Sequence, residues 1–248
     1  MTVHFIGAGP GAADLLTVRA MSLISSSPVC VYAGTYVPAE VLACCPPGAT
    51  LIDSSHLDLD QIVDCLVTSH QAGLDVARLC SGDPSLYSAL AEQTRRLDRY
   101  SVPWDVTPGV PAYAAAAALI GRELTVPEVT QTVILTRAQA ESTAMPDPES
   151  LARLSQSRAT LVLHLAIRHV RRLAVELEPA YGPDCPVVVV SRATQPDELV
   201  LRGSVADIAD QVEAAGLRQA AVILVGEVFA AADFVESHLY AAARNRRK

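Results

Sequence analysis

The first half of the chain alternates between short apolar runs and longer segments whose apolar residues recur at helical spacing. Short apolar runs bounded by turn residues are typical of buried strands, and the longer segments are typical of helices. The predicted strands are 3–6, 29–32, 50–52, 75–80 and 104–106, and the predicted helices are 17–26, 59–72, 86–99 and 111–120. This alternation predicts a mainly parallel sheet covered by helices, in which ligands bind at the carboxyl ends of the strands.

The second half follows a break in the pattern between Gly121 and Val129, which we interpret as a hinge between two domains, 1–120 and 121–248. The connection through Gln195, Pro196 and Asp197 is short enough for a hairpin, so a mixed sheet is expected here. The predicted strands are 132–136, 160–165, 187–190, 199–202 and 221–225, and the predicted helices are 149–154, 167–177 and 205–214. The fold class expected is therefore α/β, with two α/β domains.

Three turns rich in glycine and proline follow predicted strands of the first half. They are GAGPG at 7–11, SGDPSLY at 81–87 and TPGVPAY at 107–113. Glycine allows the backbone to approach a ligand closely because it has no Cβ. Since the carboxyl ends of parallel strands share one sheet edge, these turns together predict a single elongated ligand cleft.

Asp83 in the second turn has two interpretations. It can cap a helix that starts with Pro84 and Ser85, leaving an amide end that favours an anionic group by roughly 0.3 to 1 kcal/mol. Alternatively, its carboxylate holds the loop or the ligand. For the alanine run 114–118, core packing is the more common role, but such a run also lets a flat ligand or a partner helix approach closely.

The first turn also fits the dinucleotide motif G-x-G-x-x-[GA] through Gly7, Gly9 and Ala12. That motif requires the helix to begin within the loop, whereas here Pro10 and Gly11 interrupt it and the capping signals of Asp14 and Thr17 come later. The predicted strand 29–32 also ends without the carboxylate that would bind a ribose. A nicotinamide-dependent oxidoreductase is therefore the weaker alternative.

Composition excludes several other classes. A hydrophobic fraction of 50% supports a sizeable core, and a net charge of −8 argues against nucleic acid as a partner. The basic run 244–248 is interpreted as a solvated tail. No segment has the roughly 18 consecutive apolar residues of a membrane span, and no leader pattern is present, so a cytoplasmic protein without membrane partners is expected.

Cysteines and histidines give no sign of a metal or hydrolase site. Neither residue type has the spacing of metal ligands, and there is no G-x-S-x-G elbow or P-loop lysine. We expect the cysteines to be reduced core residues. The cysteines are Cys30, Cys44, Cys45, Cys65, Cys80 and Cys185, and the histidines are His4, His56, His70, His164, His169 and His238.

Taken together, the motifs resemble the tetrapyrrole methylases, S-adenosylmethionine-dependent enzymes of corrin and sirohaem synthesis. The resemblance covers nearly the whole chain. The segments that carry it are GAGPGAADLLTVRA, VYAG, SGDPSLYSAL, VTPGVPAYAAAAALIGRELT, TVILTR, ATLVLHLAIRHV, DCPVVVVSRATQPDE and AVILVGEV. Two motifs, YAG and LTVPEVTQTVILTR, and the absence of a fused second enzyme make the chain most similar to one branch of the family. That branch methylates one ring carbon of a corrin precursor. Which carbon, and whether the acceptor carries cobalt, stay open.

The resemblance implies a homodimer with S-adenosylmethionine in a cleft between two α/β domains. The turns identified above contain most of the implied contacts, but the contacts beyond residue 120 were not identified from the residues alone. The implied cofactor-binding residues are Pro10, Ser81, Gly82, Asp83, Leu86, Pro111, Ala112, Leu165, Ala193 and Ala221. The family usually has histidine at the position of Cys80 and glycine at that of Ser88.

An anionic tetrapyrrole needs donors for its carboxylates and surfaces for its ring. Arginine binds carboxylate through two parallel hydrogen bonds, and tyrosine can stack on a ring or bind its edge. The candidate substrate-binding residues are Tyr87, Tyr113, Arg137, Arg168 and Arg192. Each could equally serve core packing or surface solvation. No general base is identified, and a binding module without turnover remains a further hypothesis.

Overall fold

The computed structural model describes residues 1–138 and 144–237. It divides the chain into two compact units. Unit 1 contains Met1–Ala115 together with Ala193–Pro196, and unit 2 contains Ala116–Arg192 and Asp197–Lys248. The expectations for His238 and for the basic run 244–248 fall outside the described residues.

Unit 1 is built on a five-stranded sheet in which every pair of neighbours is parallel, as predicted. The strand order is β3-β2-β4-β1-β5. The strands are β1 Val3–Gly7, β2 Val29–Tyr32, β3 Thr50–Asp53, β4 Val76–Cys80 and β5 Trp104–Thr107, and the helices are α1 Val18–Ser26, α2 Ala39–Leu42, α3 Leu59–Gln71, α4 Leu90–Arg99 and α5 Ala112–Ile120. The short helix α2 was not predicted.

Side chains alternate between the two faces of this sheet, so each face has its own core. Phe5 packs in a cluster with Leu66 of α3 and Leu97 of α4. The next residue, Ile6, packs in a separate cluster with Ile24 of α1. All five residues of β4 are buried, which is why the central strand is a continuous apolar run apart from Arg78.

Local signals fix the helix starts and the edge of the sheet. The Thr17 side chain accepts a hydrogen bond from the Ala20 amide at the start of α1. On the edge strand β5, the Trp104 ring meets Phe5 edge-on with centroids 6.5 Å apart, and its Nε1–H donates to Asp98 Oδ1 at 2.8 Å. Trp104 therefore joins the edge strand to the core and to α4.

Unit 2 contains a mixed five-stranded sheet, also as predicted, in the order β6-β7-β10-β8-β9. Only β6 and β7 are parallel, and the other neighbours are antiparallel. The predicted hairpin joins β8 to β9, with Ser191 opposite Leu199. The strands are β6 Val133–Arg137, β7 Thr160–His164, β8 Pro186–Ser191, β9 Leu199–Ser204 and β10 Ala221–Val225, and the helices are α6 Leu151–Leu154, α7 Val170–Tyr181 and α8 Ile208–Ala214.

The core of unit 2 lies between this sheet and the helices α7 and α8. Leu163 and Val189 from the sheet pack with Leu173 of α7 and Ile208 of α8. Buried apolar residues on both the strands and the helices explain why the predicted strand positions agree with the structure. No helix in the two described ranges is both long enough and apolar enough to cross a bilayer.

Three helix starts and part of the cysteine prediction are wrong. The helix predicted from residue 86 begins at Leu90, and the one predicted from 167 begins at Val170, after the 3₁₀ turn Ile167–His169. The helix predicted from 205 begins at Ile208. All six cysteines are free, as expected. Burial holds for Cys30, Cys80 and Cys185, whereas Cys44, Cys45 and Cys65 are only half-buried.

Candidate functional site

The three turns of unit 1 meet at one sheet edge because β4, β1 and β5 are neighbours. Gly9 and Gly82 exchange backbone hydrogen bonds, with N–O distances of 3.2 and 2.8 Å. A Cβ on Gly7 would lie 2.5 Å from the Gly109 Cα, and one on Gly109 would lie against the Gly82 carbonyl oxygen. The turns therefore pack backbone against backbone, which only glycine permits at Gly7 and Gly109.

Asp83 ties the second turn to the third. Its Oδ2 accepts from the Gly109 amide at 2.8 Å, and its Oδ1 accepts from the Ser85 amide at 2.8 Å and from the Ser85 hydroxyl. Partial burial raises the pKa of the carboxyl, but the hydrogen bonds from Ser85 and Gly109 outweigh it, so the pKa is below its ordinary value. Asp83 is thus held as a carboxylate.

The helix-cap interpretation of Asp83 is wrong. Helix α4 begins at Leu90, and its N-cap is Ala89, which has no capping side chain. Asp83, Pro84 and Ser85 have the residue types of a helix start, but the carboxylate bonds an amide 26 positions along the chain instead. The sequence does not show this partner, because the contact depends on how β4 and β5 are placed in the sheet.

A fourth segment, 193–196, completes the surroundings of the first turn within unit 1. The Thr194 Oγ1 accepts from the Ala12 amide at 3.1 Å, and the Gln195 Nε2 donates to the Pro10 carbonyl at 3.3 Å. A Cβ on Gly11 would lie 2.5 Å from the Gln195 Cγ. Residue patterns predicted a hairpin here but not its contact with the first turn, and only Ala193 entered the site prediction, through the family resemblance.

The predicted residues of unit 1 differ in how far they are accessible. Gly82 lies close to the third turn, since a Cβ on it would be 3.5 Å from both the Pro111 Cα and the Ala112 amide nitrogen. Tyr87 is 45% exposed. Pro10, Gly82 and Ala193 are buried, Asp83, Leu86, Pro111, Ala112 and Tyr113 are half-buried, and Ser81 is exposed. Their roles toward a ligand stay predictions.

In unit 2, four predicted residues lie at one edge of the mixed sheet. Arg137 at the end of β6 is in register with His164 at the end of β7, which Leu165 follows. Ala221 at the start of β10 pairs with Ser191 at the end of β8, and the Arg192 amide donates to the Ala220 carbonyl at 2.9 Å. The register therefore brings Arg137, Leu165, Arg192 and Ala221 together.

Strained backbone is concentrated at this edge. Leu165, Arg192 and Ala220 all have left-handed backbone, with φ of 51°, 48° and 54°. Such conformations in residues other than glycine cost about 1 to 3 kcal/mol each and cluster at ligand sites. Leu165 is also 62% exposed, so the strain presents an apolar side chain to solvent.

The three candidate arginines have different surroundings. Arg137 Nη1 donates to the Ala138 carbonyl at 3.3 Å, and Arg192 forms an ion pair with Asp197 at 3.0 Å. Arg168 is placed apart from them, in the 3₁₀ turn after β7, where its Nε donates to the Arg218 carbonyl at 3.0 Å. It lines a surface pocket with Arg171 and Arg172.

The geometry of the first turn does not support a dinucleotide site. After β1 the chain forms the 3₁₀ turn Ala13–Leu15, and α1 begins only at Val18. A dinucleotide loop needs a helix amide end directly at the glycines. The turn therefore has the glycines of that motif without its helix.

Residues 2–209 match the family described as Tetrapyrrole (Corrin/Porphyrin) Methylases. The chain belongs to the tetrapyrrole methylases. It is 57% identical to a precorrin-4 C(11)-methyltransferase of Rhodococcus erythropolis, over 99% of each chain. It is 54% identical to the enzyme of that name from Mycobacterium tuberculosis (strain ATCC 25618 / H37Rv), over 100% of this chain and 99% of the relative.

Solved structures of tetrapyrrole methylases share the fold. A cobalamin biosynthetic enzyme, cobalt precorrin-4 methyltransferase, superposes with a TM-score of 0.88 at 37% identity, over 92% of this chain and 95% of that one. A uroporphyrin-III C-methyltransferase from Thermus thermophilus, complexed with S-adenosylhomocysteine, gives 0.77 at 28% identity, over 92% and 98%. The predicted family and fold class are confirmed.

Proposed function

We propose that this chain is an S-adenosylmethionine-dependent C-methyltransferase that methylates precorrin-4 at ring carbon 11 to give precorrin-5 in cobalamin biosynthesis. The observation that carries the proposal is its identity, along nearly the whole of both chains, to relatives named for that reaction. The cobalt-precorrin-4 enzymes are less similar, at 37% identity. The metal-free acceptor is therefore the one proposed.

The turns of unit 1 have features suited to S-adenosylmethionine. Their contact faces consist of glycine backbone, and the Asp83 carboxylate fixes their spacing through the Gly109 amide. Leu165 in unit 2 adds an exposed apolar side chain. We assign cofactor binding to the ten residues predicted for it: Pro10, Ser81, Gly82, Asp83, Leu86, Pro111, Ala112, Leu165, Ala193 and Ala221.

When bound, S-adenosylmethionine supplies a methyl group already activated on a sulfonium, so no side chain has to act as a nucleophile. The protein has to align the acceptor carbon with that methyl group and exclude water. Alignment of this kind can contribute roughly 7 to 11 kcal/mol to lowering the barrier. Glycine turns locked by Asp83 suit this task because they are rigid without obstructing the approach of the two reactants.

The acceptor carries several carboxylates, for which unit 2 offers arginines. Arg137 and Arg192 lie at the same sheet edge, and a guanidinium can bind a carboxylate through two parallel hydrogen bonds. We propose them as substrate-binding residues together with Arg168, which sits in a separate surface pocket. Tyr87 and Tyr113, near the second and third turns, are proposed to contact the ring.

We also propose that the enzyme is a cytoplasmic homodimer, as the family resemblance implies. Light scattering coupled to size-exclusion chromatography tests the assembly. Since one chain has a mass of 26.2 kDa, a dimer is expected at twice that value. A species at the mass of one chain across the concentration range would contradict the homodimer.

The proposed reaction is tested with S-adenosylmethionine that carries a ¹³C-labelled methyl group. Incubation with precorrin-4 should give a product heavier by one labelled methyl, which NMR then assigns to carbon 11.

Parallel reactions use cobalt-precorrin-4, and a thermal-shift panel compares S-adenosylhomocysteine with NADH. Methylation of the cobalt form alone, or at another carbon, would contradict the assignment. Stabilisation by NADH alone would revive the oxidoreductase alternative, and ligand binding without turnover would indicate a binding module.

A further inference from the structure

An arginine lies in the middle of the central strand of unit 1. Arg78 on β4 is only 7% exposed, and within the two described ranges no carboxylate forms an ion pair with it. Burial lowers the pKa of its guanidinium. A buried charge without an ionic partner is costly and persists only where neutral groups satisfy its donors. Neutral hydrogen-bond acceptors are therefore expected around Arg78.

Three neutral acceptors bind the guanidinium through its Nε and Nη1. Its Nη1 donates to the Ser54 Oγ at 3.1 Å and to the Val31 carbonyl at 3.4 Å. Its Nε donates to the Oε1 of Gln93 at 3.0 Å. The last contact connects the strand to helix α4, since Gln93 lies in the first turn of that helix and is 1% exposed.

Gln93 also forms hydrogen bonds to the turn that precedes the helix. Its Nε2 donates to the Ser88 carbonyl at 3.2 Å and to the Ala89 carbonyl at 3.1 Å. A rotated amide would place its NH₂ against the guanidinium of Arg78 and its oxygen against two carbonyls. Since an arginine has only donors, Arg78 allows one orientation of the amide, with the NH₂ directed at the turn.

The turn that receives these bonds is strained. Tyr87 and Ala89 have left-handed backbone, with φ of 55° and 54°, and Ala89 caps α4 without a side-chain hydrogen bond. Such strain persists only where the surroundings determine the conformation. Two hydrogen bonds from a buried amide supply such a constraint. Tyr87 is the first residue of this turn and Leu86 directly precedes it, and both are assigned above to ligand binding.

We propose that Arg78 and Gln93 are positioning residues, which hold the turn 87–89 in its strained conformation and so place Leu86 and Tyr87 for ligand binding. The proposal rests on the proposed function for the identity of the ligand. Neither side chain has to touch the ligand, because both act through the Ser88 and Ala89 carbonyls.

Gln93→Glu separates this role from a general contribution to stability. The carboxylate has nearly the same shape and still accepts from Arg78, but it has no NH₂ for the turn and places oxygen against two carbonyls. Thr94→Val is the matched control, since Thr94 is also buried on α4 and, among the residues that the structure describes, its hydroxyl bonds the Ala91 carbonyl alone. Arg78→Met tests the other end of the network, because it frees the Gln93 amide to rotate.

The experiment measures two quantities on each full-length variant: amide hydrogen exchange over residues 86–93, and the Kd for S-adenosylhomocysteine by calorimetry. In Gln93→Glu we expect faster exchange in the turn and a Kd weaker by about five- to tenfold, since two hydrogen bonds are lost. Arg78→Met should change both in the same direction. Thr94→Val should change neither, even where it lowers the Tm.

Unchanged exchange in Gln93→Glu would overturn the proposal, and so would faster exchange with an unchanged Kd. Failure of the wild-type protein to bind S-adenosylhomocysteine would instead count against the proposed function. The exchange measurement would then still decide whether Gln93 holds the turn, because it requires no ligand.

Discussion

At the scale of single residues, the candidate site depends on positions that lack a side chain. Gly7, Gly82 and Gly109 bring three turns into backbone contact, and Asp83 locks the second to the third. A side chain at Gly109 would meet backbone, which cannot rotate away as a flexible side chain can.

Gly109→Ala should therefore separate the turns and weaken binding of S-adenosylhomocysteine by more than tenfold, about 1.4 kcal/mol or more. The comparison is Gly203→Ala, where the new Cβ would meet only the side chains of Asp207 and Gln211, which can move. Calorimetric titration of both variants checks the expectation. Equal affinities in the two variants would contradict the backbone packing described for Gly109.

Asp83→Asn should reduce stability in a pH-dependent manner. Because the folded pKa of Asp83 is lowered, its contribution is present above the unfolded value of about 3.9 and is lost as the pH falls through the folded value. Asparagine keeps one oxygen but presents an NH₂ to a backbone donor. We expect the free energy of unfolding at pH 7 to fall by about 1 kcal/mol, and the difference to disappear in acid. Urea denaturation from pH 3 to pH 7 measures the difference in free energy of unfolding between the wild type and the variant. A difference that stays constant over this range would show that the charge of Asp83 does not contribute.

At the scale of elements, the segment 193–196 supports the conformation of the first turn. Thr194 Oγ1 accepts the Ala12 amide, and Gln195 covers Gly11. The hairpin between β8 and β9 thus carries residues that fix the conformation of a loop near the start of the chain.

Thr194→Val should loosen the first turn, since valine has the same shape but no acceptor for the Ala12 amide. A lost hydrogen bond of this kind costs about 1 kcal/mol, so we expect the Kd for S-adenosylhomocysteine to weaken by about fivefold. Thr194→Ser keeps the hydroxyl and should bind as the wild type does. A serine variant as weak as the valine variant would show that the methyl group, not the hydroxyl, is the important part.

The sequence predicts elements of this protein far better than it predicts their contacts. Buried parallel strands such as β4 are continuous apolar runs, so unit 1 could be predicted from the pattern alone. The start of α4 could not, because Asp83 bonds Gly109 instead of capping a helix. Nor could the contact between Ala12 and Thr194, which are 182 positions apart. Local patterns carry no information about partners that only the folded chain brings together.

At the scale of the whole molecule, buried cysteines lie in both units. Cys30 and Cys80 are buried in unit 1 and Cys185 in unit 2, and burial raises the pKa of all three thiols, that of Cys185 to about 12. The raised pKa values keep these thiols protonated at pH 8, and the thiolate is the reactive form.

Iodoacetamide at pH 8 should therefore modify the half-buried Cys44 and Cys65 first. Cys30, Cys80 and Cys185 should react only after unfolding in urea. Peptide mass spectrometry of samples taken over time distinguishes the six positions. Modification of Cys185 in the native protein at the rate of Cys65 would contradict the burial of its side chain.

Trp104 is the only tryptophan of the chain, and it packs on Phe5 in unit 1. Intrinsic emission excited at the red edge of the absorption band consequently originates from β5 alone. A spectroscopist who follows that emission will record the surroundings of the edge strand in unit 1. Placing an indole in unit 2 would give each half its own reporter.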